Sequence, residues 1–339
     1  MLNIMSLQKN FRVLVCILIV LLLGLIGWKC LRSSHPLQSE PDETITSEMT
    51  TQTVAGTGPM TNTSVTYYIP AIWTYKNALE GDELPLKNVS KIPAGLLVDA
   101  NSGRILWAKH SREPQKIASM TKMMTVLLAM EAVKKGVIME DTSICVSAAA
   151  SRIGGSQVYL KEGEVFTLEE LLKSIMIVSA NDSAHLVAEA IAGDVDTFVS
   201  MMNERAKELG MHETVFYNVH GLPLKGRHNS SSALDMAKLA RELLKYPGVL
   251  QWTSTWMDTF RNGEFKMVNH NSLVNPVSGV KGVDGLKTGY YSQAGFCVTA
   301  TALRGTHRLI AVVIGIENKS VRSTFVKELI EWGYLQNPI

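Results

Sequence analysis

Residues 117–136 read Ile-Ala-Ser-Met-Thr-Lys-Met-Met-Thr-Val-Leu-Leu-Ala-Met-Glu-Ala-Val-Lys-Lys-Gly. Apolar side chains dominate 117–133, two lysines close the last turn and Gly136 stops it, so the stretch predicts a helix buried on all sides. Inside that apolar run stands Lys122, a cation that is expensive to bury without a purpose. It follows Ser119 by three residues, which puts the two on one helix face, one turn apart, with the serine at the positive end. A serine hydroxyl is a poor nucleophile until a neighbouring base takes its proton, and a lysine serves once burial or a second cation lowers its pKa. The spacing alone is weak, because Ser6 and Lys9 repeat it. A helix N-cap at Ser119 and a snorkelling lysine at 122 account equally well for the four residues in isolation.

Working outward, 94–99 and 104–108 are short apolar runs separated by Ala-Asn-Ser-Gly, the pattern of a β-hairpin with a glycine-containing turn. After the central helix, Thr167 and Glu170 form a capping box for a helix over 168–178 that breaks at Ser179-Ala180-Asn181. Further helices are predicted over 182–192, stopped by Gly193, and over 198–209, stopped by Gly210; a fourth is capped by Ser232 with Asp235 and ends before Pro247. The last third returns to strand character over 283–288, 295–302 and 309–316, an antiparallel meander, and a helix over 321–332 follows. Hairpin, helices, meander, helix is the order of an α/β (α+β) sandwich in which both ends of the chain complete one antiparallel sheet of five strands, flanked by helices and a mainly helical subdomain.

Two more tripeptides join Ser119 and Lys122. Ser179-Ala180-Asn181 falls in a break between helices, where a hydroxyl and a carboxamide can face a cleft; by itself it reads as a helix–helix turn with Asn181 and Asp182 as caps. Lys287-Thr288-Gly289 ends a strand, where glycine lets another backbone approach and lysine offers positive charge; its plain reading is a strand running into a turn. Ser-x-x-Lys, Ser-x-Asn and Lys-Thr-Gly in that order, each on a fitting element, form a set that coincidence does not readily produce.

The remaining composition sets limits. The 339 residues are 46% hydrophobic, enough for one large domain or two small ones, and 33 Lys+Arg against 31 Asp+Glu leave no general basic surface for nucleic acid. Four cysteines, two of them (Cys16 and Cys30) in or beside the first apolar run, make no disulfide framework; Cys145 and Cys297 are expected as two isolated buried thiols rather than a bridge. Residues 13–28 are apolar throughout, with Lys9 and Arg12 before them and Lys29 and Arg32 after them. No small-residue cleavage site follows, and Gly27-Trp28-Lys29 does not suit lipid attachment at Cys30, so an uncleaved membrane anchor is expected. The expected organisation is a cytoplasmic tail 1–12, a transmembrane anchor 13–28, a disordered Ser/Thr/Pro-rich linker 29–66 and an extracytoplasmic domain 67–339.

The sequence resembles the low-molecular-weight penicillin-binding proteins, the serine-type D-alanyl-D-alanine carboxypeptidases of peptidase family S11, over residues 93–334. The similarity extends to Leu97-Val98-Asp99-Ala100-Asn101-Ser102-Gly103, Asn218-Val219-His220-Gly221-Leu222 and Val283-Asp284-Gly285-Leu286-Lys287-Thr288-Gly289-Tyr290. The resemblance implies a DD-peptidase/β-lactamase-like fold and an acyl-enzyme at Ser119, with Lys122 as base and Ser179 and Asn181 on the opposite wall. It implies that Lys287 tunes the proton network, that Thr288 and Arg322 hold the substrate carboxylate, and that the backbone N–H groups of Ser119 and Tyr290 beside Gly289 form an oxyanion hole worth about 3 kcal/mol per donor. Stem peptides ending in D-Ala-D-Ala are the implied substrates and β-lactams the implied covalent inhibitors; no cofactor or metal is implied. Two features depart from the family pattern. Ala180 stands where most relatives have glycine, and the chain stops shortly after Trp332-Gly333-Tyr334, where many continue into a β-rich domain and an amphipathic anchor.

Other functions share these residues. A β-lactamase needs an additional general base, and no Glu-x-x-x-Asn-type signature between Asn181 and Lys287 supplies one. A DD-endopeptidase uses the same groups on cross-links. A penicillin-binding sensor would keep its acyl-enzyme as a signal, and about twelve residues before the apolar run are too few for an output domain. A peptide-binding module would form no adduct.

Overall fold

The computed structural model describes residues 49–55, 62–68 and 73–336; the tail and apolar run expected over 1–28 lie outside them. Among the described residues no helix is long and apolar enough to cross a membrane. Part of the stretch expected as an unstructured linker is paired: β1 (Met49–Ala55) and β2 (Asn62–Tyr68) form an antiparallel hairpin. The Thr and Val content of both segments explains the difference, since β-branched residues favour a pleated backbone even without a regular apolar spacing.

A six-stranded sheet organises the rest. It comprises β3 (Leu79–Glu80), β4 (Ala94–Asp99), β5 (Arg104–Lys109), β12 (Val283–Tyr291), β13 (Gly295–Arg304) and β14 (His307–Ile316), in the order β12-β13-β14-β4-β5-β3. The five long strands are antiparallel as expected, and the two-residue β3 adds a parallel sixth at the edge. A two-residue strand carries too short a pattern to be legible from alternation. Between β5 and β12 come the short strands β6 (Gln115–Lys116), β7 (Ser143–Cys145), β8 (Val165–Thr167), β9 (Ser230–Ser231), β10 (Met257–Phe260) and β11 (Phe265–Val268). Seven helices accompany them among the described residues: α1 (Lys122–Lys134), α2 (Leu168–Ile177), α3 (Asn181–Ala192), α4 (Val195–Glu208), α5 (Ala233–Leu243), α6 (Pro247–Ser254) and α7 (Lys319–Gln336).

Each face of the sheet has a core of its own. On β14, Ile310, Val312 and Ile314 face the helical side, while Leu309, Ala311 and Val313 pack with Phe325, Val326, Leu329 and Ile330 of α7. A strand covered on both faces reads as one continuous apolar run, which is how 309–316 reads. Helix α1 lies in the helical core with ten of its thirteen residues buried, so it has no polar face. Each fully buried Leu or Met there contributes about 1.5–3 kcal/mol of transfer free energy. The box capping α2 is present, with Thr167 Oγ1 accepting from the Glu170 N–H and Glu170 Oε2 accepting from the Thr167 N–H. Helix α6 and the hairpin β10–β11 were not expected; Pro247, read as a stop, is the first residue of α6, where a missing N–H costs nothing.

Cys145 and Cys297 are unpaired. Cys297 is buried, as expected, but Cys145 is exposed because the three residues of β7 alternate and only Ile144 points inward.

Candidate active site

The polypeptide enters the site by a strained turn. Ala118 has φ +46, a left-handed value that costs energy outside glycine, and Ala118–Thr121 forms a single 3-10 turn before α1 begins at Lys122. The buried helix therefore starts five residues later than the apolar run that opens at Ile117. The turn is clamped from outside: Thr121 Oγ1 donates to the Ala118 carbonyl at 2.8 Å, and Asn229 Nδ2 donates to Thr121 Oγ1 at 2.9 Å. Gly221, with φ +96, rests directly on the backbone of Ala118 and Ser119, leaving no room for a Cβ. Its loop is shaped by Asn218, whose Oδ1 accepts from the N–H groups of His220 and Gly221 while its Nδ2 donates to Leu222 O.

Lys122 has no solvent exposure. Its Nζ lies 3.0 Å from Ser119 Oγ and donates to the His220 carbonyl at 2.7 Å, so the amine is aimed at the hydroxyl by a second, backbone bond. Burial depresses the Lys122 pKa well below the ordinary lysine value, the charge of Lys287 depresses it further, and Asp182 opposes both. A neutral amine 3.0 Å from a serine hydroxyl can accept its proton.

The opposite wall is the α2–α3 break. Ser179 sits there with φ +66, and both Ser179 Oγ and Asn181 Oδ1 are buried with no hydrogen-bond partner among the described residues. Asn181 Nδ2 donates to Gly154 O at 2.7 Å. The Asp182 carboxylate accepts from the N–H groups of Val158, Leu160 and Ser183, which fixes the 154–160 loop against the start of α3. Asn181 meets Gly155, Gly155 meets Leu222, and neighbouring Gly221 meets Ser119, so an unbroken chain of contacts joins this wall to the nucleophile. Ala180 has φ −56, a value open to any residue, and its methyl is buried in the core; the departure from glycine places no demand on the backbone.

Strand β12, an edge of the sheet, makes the third side. A Cβ on Gly289 would lie 2.7 Å from Ile117 O and 3.1 Å from Ser119 N, so the absent side chain is what lets the strand reach the turn. The backbone of Tyr290 follows at once. Lys287 is 1% exposed; burial and then the charge of Arg322 lower its pKa to about 7. Thr288 is buried beside it. Arg322, in the first turn of α7, is itself buried, with its pKa lowered to about 10 by that burial, and donates to Cys297 O and Ser323 Oγ. None of Lys122, Lys287 and Arg322 forms an ion pair among the described residues. Lys287 and Arg322, buried basic groups that form no ion pair among the described residues, make this side of the site complementary to an anion.

The structure brings Lys122 to Ser119 and Gly289 to the same turn, and the charges of Lys287 on Lys122 and of Arg322 on Lys287 tie those two residues to it. Sequence reasoning missed Asn229 and gave no bracing role to Asn218, Asp182 or the His220 carbonyl. It also missed His270, whose pKa is held down at about 4 by burial and then by the surrounding charges of Lys287, Lys319, Lys122 and Arg322. These are backbone or single polar groups from distant segments, and no local spacing announces them. Gly221, in a quoted stretch, was the available signal.

Comparison with known proteins agrees with this geometry. Residues 88–318 match the family model described as D-alanyl-D-alanine carboxypeptidase, peptidase S11. The chain is 42% identical over 246 residues to the D-alanyl-D-alanine carboxypeptidase DacF of Bacillus subtilis, covering 72% of this chain and 62% of that protein. It therefore spans about three fifths of the length of the curated relatives it matches. Penicillin-binding protein 6B from Escherichia coli superposes with a TM-score of 0.67 at 34% identity, over 71% of this chain and 77% of that one. Penicillin-binding protein D2 from Listeria monocytogenes, solved with ampicillin bound, superposes with a TM-score of 0.65 at 28% identity, over 72% of this chain and 97% of that one. With Ser119 hydrogen-bonded to Lys122, Gly289 against the same turn, and the family model matched over residues 88–318, the chain belongs to the S11 family of D-alanyl-D-alanine carboxypeptidases.

Proposed function

We propose that the protein removes the terminal D-alanine from peptidoglycan stem peptides through an acyl-enzyme on Ser119, and that β-lactams acylate the same residue. The observation that carries this reading is the buried Lys122 amine, 3.0 Å from Ser119 Oγ and depressed in pKa beside Lys287. Neutral Lys122 takes the Ser119 proton as Oγ attacks the carbonyl carbon of the penultimate D-alanine. The oxyanion is held by the N–H groups of Ser119 and Tyr290. Lys122 returns the proton through Ser179 Oγ, whose hydrogen bonding is open, to the leaving nitrogen, and free D-alanine departs. Its carboxylate is held by Thr288 and by the charges of Lys287 and Arg322. Water then attacks the ester by the same route in reverse, with Lys122 again as base. The apolar run 13–28 anchors the chain in the cytoplasmic membrane, with the domain on the extracytoplasmic side and stem peptides within reach.

The test uses the full chain in detergent with a labelled β-lactam and with a peptide ending in D-Ala-D-Ala. Wild type gains a covalent adduct and releases D-alanine; Ser119→Ala does neither. An adduct on Ser119→Ala would remove the nucleophile from the scheme, and an adduct without D-alanine release would favour a penicillin-binding sensor.

A further inference from the structure

Beyond Tyr290 the active-site strand runs into a cleft of about 550 Å³ that the reaction scheme does not use. Among its lining residues are Lys116, Tyr290, Ser292, Gln293 and Glu317. Lys116, in β6 just before the nucleophile turn, is half-buried; Glu317, between β14 and α7, is exposed. Neither forms an ion pair among the described residues, with the other or with anything else. A cation and an anion that share a cleft without pairing are held apart and leave both charges for a guest.

The direction of the substrate leads to this place. With the terminal carboxylate at Thr288 and the reacting carbonyl at the Tyr290 N–H, the peptide runs antiparallel to edge strand β12. The residue that precedes the acyl D-alanine then passes Tyr290 and Tyr291. Successive strand side chains alternate. Tyr291 is engaged by His228, its hydroxyl 2.7 Å from Nδ1, whereas Tyr290 is 54% exposed and stacks on Phe296 at 4.0 Å between centroids, presenting an aromatic wall at the mouth of the cleft.

Resting on the carboxypeptidase reading above, we infer that this cleft is a specificity subsite for the side chain of the residue before the acyl D-alanine, and that it selects a side chain ending in both a carboxylate and an ammonium group. Lys116 takes the carboxylate and Glu317 the ammonium. A side chain ending in an ammonium alone satisfies only Glu317, and a neutral one satisfies neither.

Three peptides X-D-Ala-D-Ala, with X meso-diaminopimelyl, L-lysyl or Nε-acetyl-L-lysyl, test this on the full chain in detergent. In wild type kcat/KM falls in that order, by about fivefold at each step, the effect of one solvent-accessible ion pair. Lys116→Gln abolishes the first step and Glu317→Gln the second. Benzylpenicillin acylation of each variant is followed in parallel to report an intact Ser119 site. Equal kcat/KM on the three peptides in wild type, or selectivity ratios unmoved in both variants while penicillin still acylates them, overturns the subsite and leaves the carboxypeptidase reading standing. Absence of both D-alanine release and acylation in wild type overturns the carboxypeptidase reading, and the subsite with it.

Discussion

Replacing Gly289 by alanine adds one methyl group at the narrowest point between β12 and the nucleophile turn. Gly289 does not use a left-handed backbone, so alanine meets no conformational strain there and the effect is one of contact alone. The new Cβ would stand 2.7 Å from Ile117 O, 3.1 Å from the Ala118 Cβ and 3.1 Å from Ser119 N, against 3.4 Å for the onset of ordinary contact. Two of these neighbours are backbone and cannot rotate away, so the strand and the turn must separate by several tenths of an ångström. That moves the Tyr290 N–H away from the Ser119 N–H, and an oxyanion hole works only while both donors reach the same oxygen. Losing one donor costs roughly 10²–10³ in rate, or about 2.7–4 kcal/mol. Overpacking costs the fold about 1–3 kcal/mol. The second-order rate of acylation by a chromogenic cephalosporin, followed by stopped flow, should drop by about two orders of magnitude, while thermal melting shows a folded protein with a lowered Tm. A Gly289→Ala variant that acylates within about threefold of wild type would refute the claim that this close approach sets the oxyanion geometry.

Lys287→Met removes the cation that helps hold the Lys122 pKa down, so that pKa rises and the acid limb of the pH–acylation profile moves to higher pH; a limb that stays in place would make Lys287 a carboxylate contact only. The same variant should be more stable than wild type at neutral pH. Lys287 titrates near 7 in the fold and near 10.5 unfolded, so the unfolded chain binds the extra proton between those values, and the stability gap between variant and wild type should narrow from pH 7 to pH 10 in thermal melts. Arg308→Met takes from the Asp284 carboxylate two guanidinium bonds at 2.9 and 2.7 Å and leaves it the Thr301 hydroxyl; urea unfolding should show a loss of about 3 kcal/mol, partly restored by adding Asp284→Asn. Thr167→Ala opens the capping box of α2 and should lower unfolding free energy by about 1 kcal/mol without changing the acylation rate constant.

The sheet and most helices were legible because their signals are local. The continuous apolar run over 309–316 announces a strand covered on both faces, and Thr167 with Glu170 announces a helix start. Helix α6 is not legible because a proline after a helical run signals a stop as readily as a start, and Pro247 opens the helix. At the site, the three motifs singled out Ser119, Lys122, Ser179, Asn181 and Lys287. The second bond to Lys122 comes from a backbone carbonyl 98 positions away, and a carbonyl leaves no mark in a sequence. The left-handed turns at Ala118 and Ser179 were hidden for a related reason: neither is glycine, so only the surrounding packing imposes them.

The position of β14 bears on the order in which the molecule can be assembled. This strand, the last of the sheet to be synthesised, lies between β13 and β4, pairing Leu309 with Asp99 and Ile314 with Ala94 across more than two hundred residues. Until it is in place, the early hairpin β4–β5 and the late hairpin β12–β13 have no common sheet, and Gly289 has no reason to sit against Ser119. Contacts so distant in sequence form slowly and late. The nucleophile turn, made early, is thus kept from its oxyanion partner until nearly the whole chain is available, and reactivity appears only with the finished fold.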